Sequence, residues 1–128
     1  MSNINNAADM FGRILLATIF LLAGLNKISG YEGTAAYMAS QGVPGELLPL
    51  VIVLEVGGAV AIIIGLFTRL TALALAGFSI ASALLFHFNL ADQTQFVMFF
   101  KNFAMAGGFL VLFANGPGVW SLDARRQA

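Results

Sequence analysis

The chain has 128 residues, of which 59% are hydrophobic and only 9% are charged, and its mean hydropathy is +0.90. Its six basic and six acidic residues are too few to cover the surface of a water-soluble domain, so the composition indicates an integral membrane protein. Their balance leaves no net positive field that would bind nucleic acid. Because the sequence contains no cysteine, thiol catalysis and cysteine-ligated metal centres of this chain are excluded.

Four apolar stretches are long enough to cross a membrane, since a hydrocarbon core of about 30 Å takes about 20 helical residues. The stretches are continuously apolar rather than alternating, and helices satisfy their own backbone hydrogen bonds in lipid. We therefore predict an all-α fold, a single domain over residues 1–128 built as an up-down bundle of four transmembrane helices. The predicted spans are residues 9–28, 47–67, 70–88 and 96–115.

The first span follows a polar segment, MSNINNAAD, that lacks the basic residues of a signal peptide, so we expect the span to be retained. At its start Asp9 and Arg13 lie one helical turn apart, and we interpret them as a solvated anchor pair. The connection from Ser29 to Glu46 has glycine near both ends and proline near its close. We predict a short interfacial helix within it, over the segment TAAYMASQG.

Small residues on the later spans indicate where helices pack. On the second span Gly57, Ala61 and Gly65 recur at every fourth position, a spacing that lets two backbones approach closely in lipid. Ala104 and Gly108 have the same spacing on the fourth span. We predict helix packing at these positions, and a homo-oligomer that forms through the Gly57 stripe is an alternative use of them.

Basic residues are unequally divided between the two ends of the predicted bundle. The end that holds both termini and the second connection carries Arg13, Arg69, Arg125 and Arg126. The other end carries only Lys27 and, deeper in its helix, Lys101. Because basic loops are retained in the cytoplasm, we predict that both termini are cytoplasmic and that the opposite end is the outer one.

Polar side chains at depth are the candidate functional residues, because a charge near the bilayer centre costs at least about 2.5–3.5 kcal/mol. Glu55 lies roughly 12 Å into its span at about 1.5 Å per residue. Since neighbouring helices run in opposite directions, side chains from the other spans fall in the same outer half. These are Asn26, Lys27, His87, Lys101 and Asn102.

Convergence of these groups predicts a pocket for an anionic or carbonyl-bearing amphiphile such as a quinone head. We expect Glu55 and His87 to be the catalytic residues that exchange protons. The predicted binding residues are Asn26, Lys27, Lys101 and Asn102. The single histidine has no second histidine or cysteine at ligand spacing, so we expect no metal and no haem.

Structural roles stay open for the same residues. Lys27 and His87 lie at helix ends, where their polar tips could simply reach the membrane interface. Glu55 and Lys101 could form a purely structural buried ion pair. Only the convergence of all these groups at one level favours a binding pocket over these alternatives.

Three blocks of the sequence resemble the DoxX family of small bacterial inner-membrane proteins. They are GRILLATIFLLAGLNKISGYEGTAAYMASQGVP at Gly12–Pro44, LEVGGAVAIIIGLFTR at Leu54–Arg69 and FFKNFAMAGGFLVLFANGPGVWSLD at Phe99–Asp123. The resemblance implies a four-helix bundle in the bacterial inner membrane. It also implies functional positions, which correspond here to Lys27, Glu55, Arg69, Lys101 and Asn102.

Some members of that family are described as quinone-linked oxidoreductase subunits that act on thiosulfate, and others as partners of redox enzymes in oxidative or sulfur stress. The resemblance therefore implies a membrane subunit of a quinone-associated redox system, with a quinone as cofactor and a redox protein as partner; whether the chain is itself an enzyme is left open. A second hypothesis is a noncatalytic scaffold or chaperone that recruits a redox or stress-response partner. A third is a small-molecule permease, which we rank lowest because four helices leave little room for alternating access.

Overall fold

The computed structural model describes residues 2–126, and these residues form six helices without any β-strand. The helices are α1 (Asn3–Ser29), α2 (Tyr31–Ser40), α3 (Gly45–Ile64), α4 (Thr68–Phe86), α5 (Gln93–Asn115) and α6 (Leu122–Arg126). Among them α1, α3, α4 and α5 are long and apolar enough to cross a membrane. The prediction of an all-α bundle of four transmembrane helices is thereby confirmed.

The ends of the four long helices lie within six residues of the predicted ones. The largest difference is at the start of α1, which begins at Asn3 instead of Asp9. Ser2 caps this helix, because its Oγ accepts a hydrogen bond from the backbone N–H of Asn5 at 3.3 Å. A polar first turn stabilised in this way adds length that hydrophobicity alone does not reveal.

The four long helices alternate in direction, which gives the bundle two different ends. The start of α1, the turn between α3 and α4 and the C-terminal segment meet at one end, called here the termini end. Helix α2 and the turn between α4 and α5 lie at the other, called here the distal end. Helix α2 is the short helix predicted in the first connection.

The core joins all four long helices through apolar side chains. The Phe20 ring of α1 meets Phe109 of α5 and Phe78 of α4 edge-on, with centroids 5.4 and 6.3 Å apart. Ile62 of α3 and Leu75 of α4 are fully buried in the same cluster. Large apolar side chains also cover the outer faces of the helices, as expected of a bundle that is surrounded by lipid.

Helix α3 is wound irregularly along its length. It begins as a 3₁₀ turn at Gly45–Leu47, continues as an α-helix over Leu48–Ile52 and widens into a π-helical turn at Val53–Gly57. A regular α-helix then runs to its end. Turns of the π type rotate the side chains that follow them and are frequent at functional sites. The turn in α3 contains Glu55, the buried carboxylate.

Among the small residues predicted to pack on α3, Gly57 makes no close helix contact. Gly57 is exposed, and a side chain built on it would meet no atom within 4 Å. The contact with α4 belongs to the neighbouring Gly58, whose Cβ position lies 3.3 Å from Leu75. Within one copy of the chain, Gly57 is therefore not a helix contact.

The other predicted packing residues also differ in whether they contact a neighbouring helix. Gly65 is buried at the termini end, and a Cβ there would meet Ser121 of the C-terminal segment and the tip of the Arg13 side chain, not the backbone of another long helix. On α5, Ala104 is exposed whereas the Cβ position of Gly108 lies 3.2 Å from Leu16 of α1. Only Gly108 thus makes a contact between long helices of the predicted kind.

The closest approach of α1 to α3 is at Gly24, and replacing it with alanine is expected to destabilise the bundle. Its Cβ would lie 2.5 Å from Val56 Cγ2 and 3.3 Å from the Val56 backbone nitrogen, so the helices must move apart. We expect a loss of about 1–3 kcal/mol in unfolding free energy, measured by SDS-induced unfolding in mixed micelles. Gly57→Ala is the matched control and should lose less than about 0.5 kcal/mol; equal losses would contradict a close helix contact at Gly24.

Arg13 ties the termini end together, although the sequence suggested a solvated anchor pair with Asp9. The side chain is only 3% exposed. Its Nη1 donates to the carbonyl oxygens of Ile62 and Ile63 at 2.9 and 3.1 Å, and its Nη2 donates to the carbonyl oxygen of Trp120. One guanidinium therefore binds the end of α3 and the C-terminal segment to α1, which corrects that interpretation.

Asp123 fastens the same segment to the start of α4. Its two carboxylate oxygens accept hydrogen bonds from the backbone N–H groups of Phe67 and Thr68, each at 2.8 Å. Partial burial alone would raise the pKa of Asp123, but the hydrogen bonds from Thr68 and Phe67 and the charge of Arg126 outweigh it and hold the pKa below its ordinary value. The carboxylate is thus ionised at neutral pH and caps α4 from a distant part of the chain.

Candidate functional site

A cleft opens at the distal end of the bundle, where α2 lies across the ends of α1 and α4. Its volume is about 390 Å³, within the range of about 300–1,000 Å³ that is usual for small-molecule sites. Apolar and aromatic side chains form most of its wall: Ala23, Tyr37, Met38, Val51, Phe78 and Phe86. The polar lining comes from Asn26, Lys27, Thr34 and His87. The cleft thus combines a largely apolar wall with a few polar groups.

Lys27 and Glu55 form an ion pair beside this cleft. The Lys27 Nζ lies 2.8 Å from Glu55 Oε1, and the side chains are 27% and 4% exposed. Lys27 lines the cleft whereas Glu55 lies behind it, in the π-helical turn of α3. The alternative in which Glu55 pairs with Lys101 is therefore wrong: the partner is Lys27 of α1.

The absence of a side chain at Gly24 lets α1 approach the π-helical turn and bring the ion pair together. Gly24 precedes Lys27 by one helical turn on α1, and its Cβ position lies 3.2 Å from the Cβ of Glu55. A larger residue there would separate the two backbones.

The polar edge of the cleft is completed by groups that hold one another in place. His87 Nδ1 lies 2.9 Å from Gln95 Oε1 across the turn between α4 and α5. The Tyr37 hydroxyl donates to the carbonyl oxygen of Phe86 at 3.3 Å, and the two rings pack with centroids 5.6 Å apart. The two contacts between Tyr37 and Phe86 fasten α2 to the end of α4, and these residues form one wall of the cleft.

Two predicted binding residues do not reach the cleft. Lys101 is exposed on the outer face of α5, and Asn102 is buried but is not among the residues that line the cleft. Successive residues of an α-helix point about 100° apart, so these neighbours cannot share one face. The structure therefore brings Asn26, Lys27 and His87 to the cleft with Glu55 directly behind.

Helix α2 contributes three lining residues that sequence reasoning did not assign to a site. They are Thr34, Tyr37 and Met38. Tyr37 and Met38 belong to the segment predicted as an interfacial helix, and Met38 is buried. The prediction of a short helix in the first connection was a usable signal, but nothing in the residue pattern shows that this helix folds back over the bundle.

Together, the fold and the cleft define a class of protein: a small bundle of four transmembrane helices with a largely apolar cleft at one end, whose few polar groups are backed by a buried carboxylate. Comparison with known sequences then places the chain more narrowly. The family described as DoxX matches residues 8–88. The chain belongs to the DoxX family, as its resemblance to that family implied.

Two relatives from Escherichia coli match nearly the full length of the chain. The "Inner membrane protein YqjF" is 48% identical over 123 residues, which are 96% of this chain and 95% of the relative. The "Inner membrane protein YphA" is 37% identical over 124 residues, with coverage of 91% and 88%. Both names describe proteins of the inner membrane, in agreement with the four candidate spans seen here.

A third relative matches only part of the chain. The "Putative oxidoreductase CatD" of Bacillus subtilis is 34% identical over 58 residues, which are 45% of this chain and 43% of the relative. No solved structure matches the chain. The comparisons therefore establish the family and the membrane class and leave the reaction to be argued from the cleft.

Proposed function

We propose that this protein is the membrane subunit of a quinone-associated redox system and that it binds a quinone, or a small amphiphile of similar shape, in the distal cleft. The observation that carries the proposal is the Lys27 ammonium held at the cleft by the buried Glu55 carboxylate. A charged donor fixed in an otherwise apolar cleft suits a ligand with a carbonyl head and an apolar body. The partial likeness to a relative named as an oxidoreductase supports the redox part of the proposal.

The residues present fit such a ligand in both size and chemistry. Phe78, Phe86 and Val51 offer apolar surface to a ring. Lys27 and Asn26 on α1 supply hydrogen-bond donors for one end of the head group. This distribution of a few polar groups on an apolar wall is typical of small-molecule sites.

The chain's own residues would bind and orient the head group and exchange protons. Lys27 would donate a hydrogen bond to a carbonyl oxygen, and Glu55 keeps the ammonium aimed at the cleft. With Nδ1–H donating to Gln95, the Nε2 of His87 is free to take or give a proton at the edge of the cleft. A bound quinone would supply two-electron, two-proton chemistry, with the electrons drawn from a partner redox protein.

The distribution of charge supports the orientation proposed for the protein in a bacterial inner membrane. The termini end carries four basic and two acidic residues: Arg13, Arg69, Arg125 and Arg126 with Asp9 and Asp123. The distal half carries two basic and four acidic residues: Lys27 and Lys101 with Glu32, Glu46, Glu55 and Asp92. We propose that the termini are cytoplasmic and that the cleft faces outward, because basic residues concentrate on the cytoplasmic side.

Calorimetric titration of the purified protein with a short-chain ubiquinone tests the proposal. We expect saturable binding that weakens at least about tenfold in Lys27→Met, because a charged hydrogen-bond donor is worth about 1.5–3 kcal/mol. Lys101→Met is the matched control: it removes the same charge from the exposed face of α5 and should bind as the wild type does.

A second variant keeps the test valid if loss of Lys27 impairs folding. Ala23→Leu adds bulk to the cleft wall without touching the ion pair, and it should also weaken binding. Far-ultraviolet circular dichroism would verify that each variant retains its helices. No saturable binding by the wild type, or equal affinity in Ala23→Leu and the wild type, would overturn the proposed site and favour a noncatalytic scaffold.

A further inference from the structure

A second cleft lies at the termini end, remote from the proposed quinone site. It is bounded by the turn between α3 and α4 on one side and by Pro117, Gly118 and helix α6 on the other, and its volume is about 650 Å³. Its lining is far more polar than that of the distal cleft and includes Arg69 and Arg126. Of its lining residues, only Arg69 was among the functional positions that the family resemblance implied.

The two arginines bring positive charge to the cleft, where Arg126 also adds to the field that keeps Asp123 ionised. Among residues 2–126, neither Arg69 nor Arg126 forms an ion pair. The Arg69 guanidinium lies against Gly116: a Cβ built on Gly116 would be only 3.1 Å from the Nε and the Nη2 of Arg69. The Arg126 guanidinium lies over the ring of Phe67 at 5.0 Å from the centroid. Both groups are thus held in position with their hydrogen-bond donors available.

Asp123 lines the same cleft, but its carboxylate is already engaged by protein. Each oxygen accepts a backbone N–H from the start of α4 at 2.8 Å. Its charge therefore serves mainly to cap that helix, where the N-terminal dipole is positive. An arriving anion would meet two arginines whose donors are available and one carboxylate whose oxygens are already bonded.

The rim of the cleft adds an apolar element. Phe67 is 58% exposed and Leu70 is 70% exposed, and both line the cleft at the boundary of a membrane span. At this depth exposed apolar side chains meet acyl chains while arginines reach the headgroup level. A free phosphate ion would use the arginines but gain nothing from this apolar rim, whereas a phospholipid would use both.

We propose that this cleft is a binding site for the phosphate headgroup of an anionic phospholipid, with Arg69 and Arg126 gripping the phosphate and Phe67 and Leu70 lying against the acyl chains. Arginine suits the task because its planar fork of donors matches two phosphate oxygens at once. The site would hold one lipid of the leaflet that contacts the termini end. It is independent of the quinone proposal, since no residue lines both clefts.

Native mass spectrometry of the full-length protein, released from detergent in the presence of phosphatidylglycerol, tests this site. We expect one phosphatidylglycerol to bind in preference to phosphatidylcholine. Arg69→Gln and Arg126→Gln should each weaken the first binding step about fivefold, the factor expected from one arginine near a lipid phosphate. Arg125→Gln is the matched control, because Arg125 is adjacent in sequence, equally charged and exposed, and lines a different cleft.

The outcomes separate a built site from diffuse attraction. Equal weakening by all three substitutions would mean that charge alone recruits the lipid, and the proposal would be overturned. Competition by millimolar inorganic phosphate that displaces the lipid completely would assign the cleft to a free anion instead. Loss of the preference only in Arg69→Gln and Arg126→Gln, with helical content unchanged by circular dichroism, would establish the site.

Discussion

Replacing Lys27 with methionine is expected to lower the unfolding free energy by about 2–3 kcal/mol, because it leaves the Glu55 carboxylate buried without a partner. A fully buried pair would lose about 3–5 kcal/mol on removal of one partner, but Lys27 is 27% exposed and water already weakens its attraction for Glu55. Equilibrium SDS unfolding in mixed micelles, followed by circular dichroism, measures the loss.

A double substitution distinguishes the lost attraction from lost packing. Lys27→Met combined with Glu55→Met removes both charges while keeping similar volume, so it should recover at least half of the stability lost in Lys27→Met. Lys101→Met, on the exposed face of α5, removes a lysine without leaving a buried anion unpaired and should change stability little. If the stability lost in the double variant equals the sum of the losses in Lys27→Met alone and Glu55→Met alone, Lys27 and Glu55 do not interact.

Arg13→Met should cost about 3 kcal/mol or more, since it deprives three carbonyl groups of their donor and detaches the C-terminal segment from α1. The carbonyl oxygens of Ile62, Ile63 and Trp120 would each lose a hydrogen bond from a charged group, and such bonds are worth about 1.5–3 kcal/mol apiece before relaxation. Methionine fills part of the space but donates nothing. SDS unfolding would measure the loss of stability.

Hydrogen exchange would show where the structure loosens in Arg13→Met. The backbone N–H of Asp123 donates to the Gly65 carbonyl oxygen at 2.8 Å, and its protection should fall sharply when the segment is released. Arg13→Lys should recover only part of the stability, because one ammonium cannot reach carbonyls on both sides as the guanidinium fork does. Arg125→Met serves as the control. If protection of the Asp123 N–H fell as far in Arg125→Met as in Arg13→Met, Arg13 would not be what holds the C-terminal segment to α1.

The candidate site could be predicted in part because depth in the membrane limits which residues can be polar. Glu55, Lys27, Asn26 and His87 stand out in the sequence, and the structure gathers all four at the distal end. Lys101 stands out equally but faces away from the cleft. The depth of a side chain in the membrane follows from counting residues along its helix, whereas the side of the helix on which it faces a neighbour depends on packing. The common depth of these polar groups was therefore predictable, and the ion-pair partner of Glu55 was not.

Hydrophobicity by itself determined the membrane class and the number of spans, because the cost of exposing polar backbone to lipid leaves helices of about 20 residues as the simplest solution. Tertiary structure decided which side chains meet. Close contacts form at Gly24 of α1 and Gly58 of α3, whereas Gly57 is exposed.

The same division holds for charges. Arg13 could be placed at the termini end by its position, but only packing shows that it is buried and donates to three carbonyl groups. Asp123 likewise reaches Phe67 and Thr68 from more than fifty residues away. Local sequence determines where each helix begins and ends. The partners of the buried polar groups come from distant segments of the chain, so they are determined only when the whole bundle has assembled.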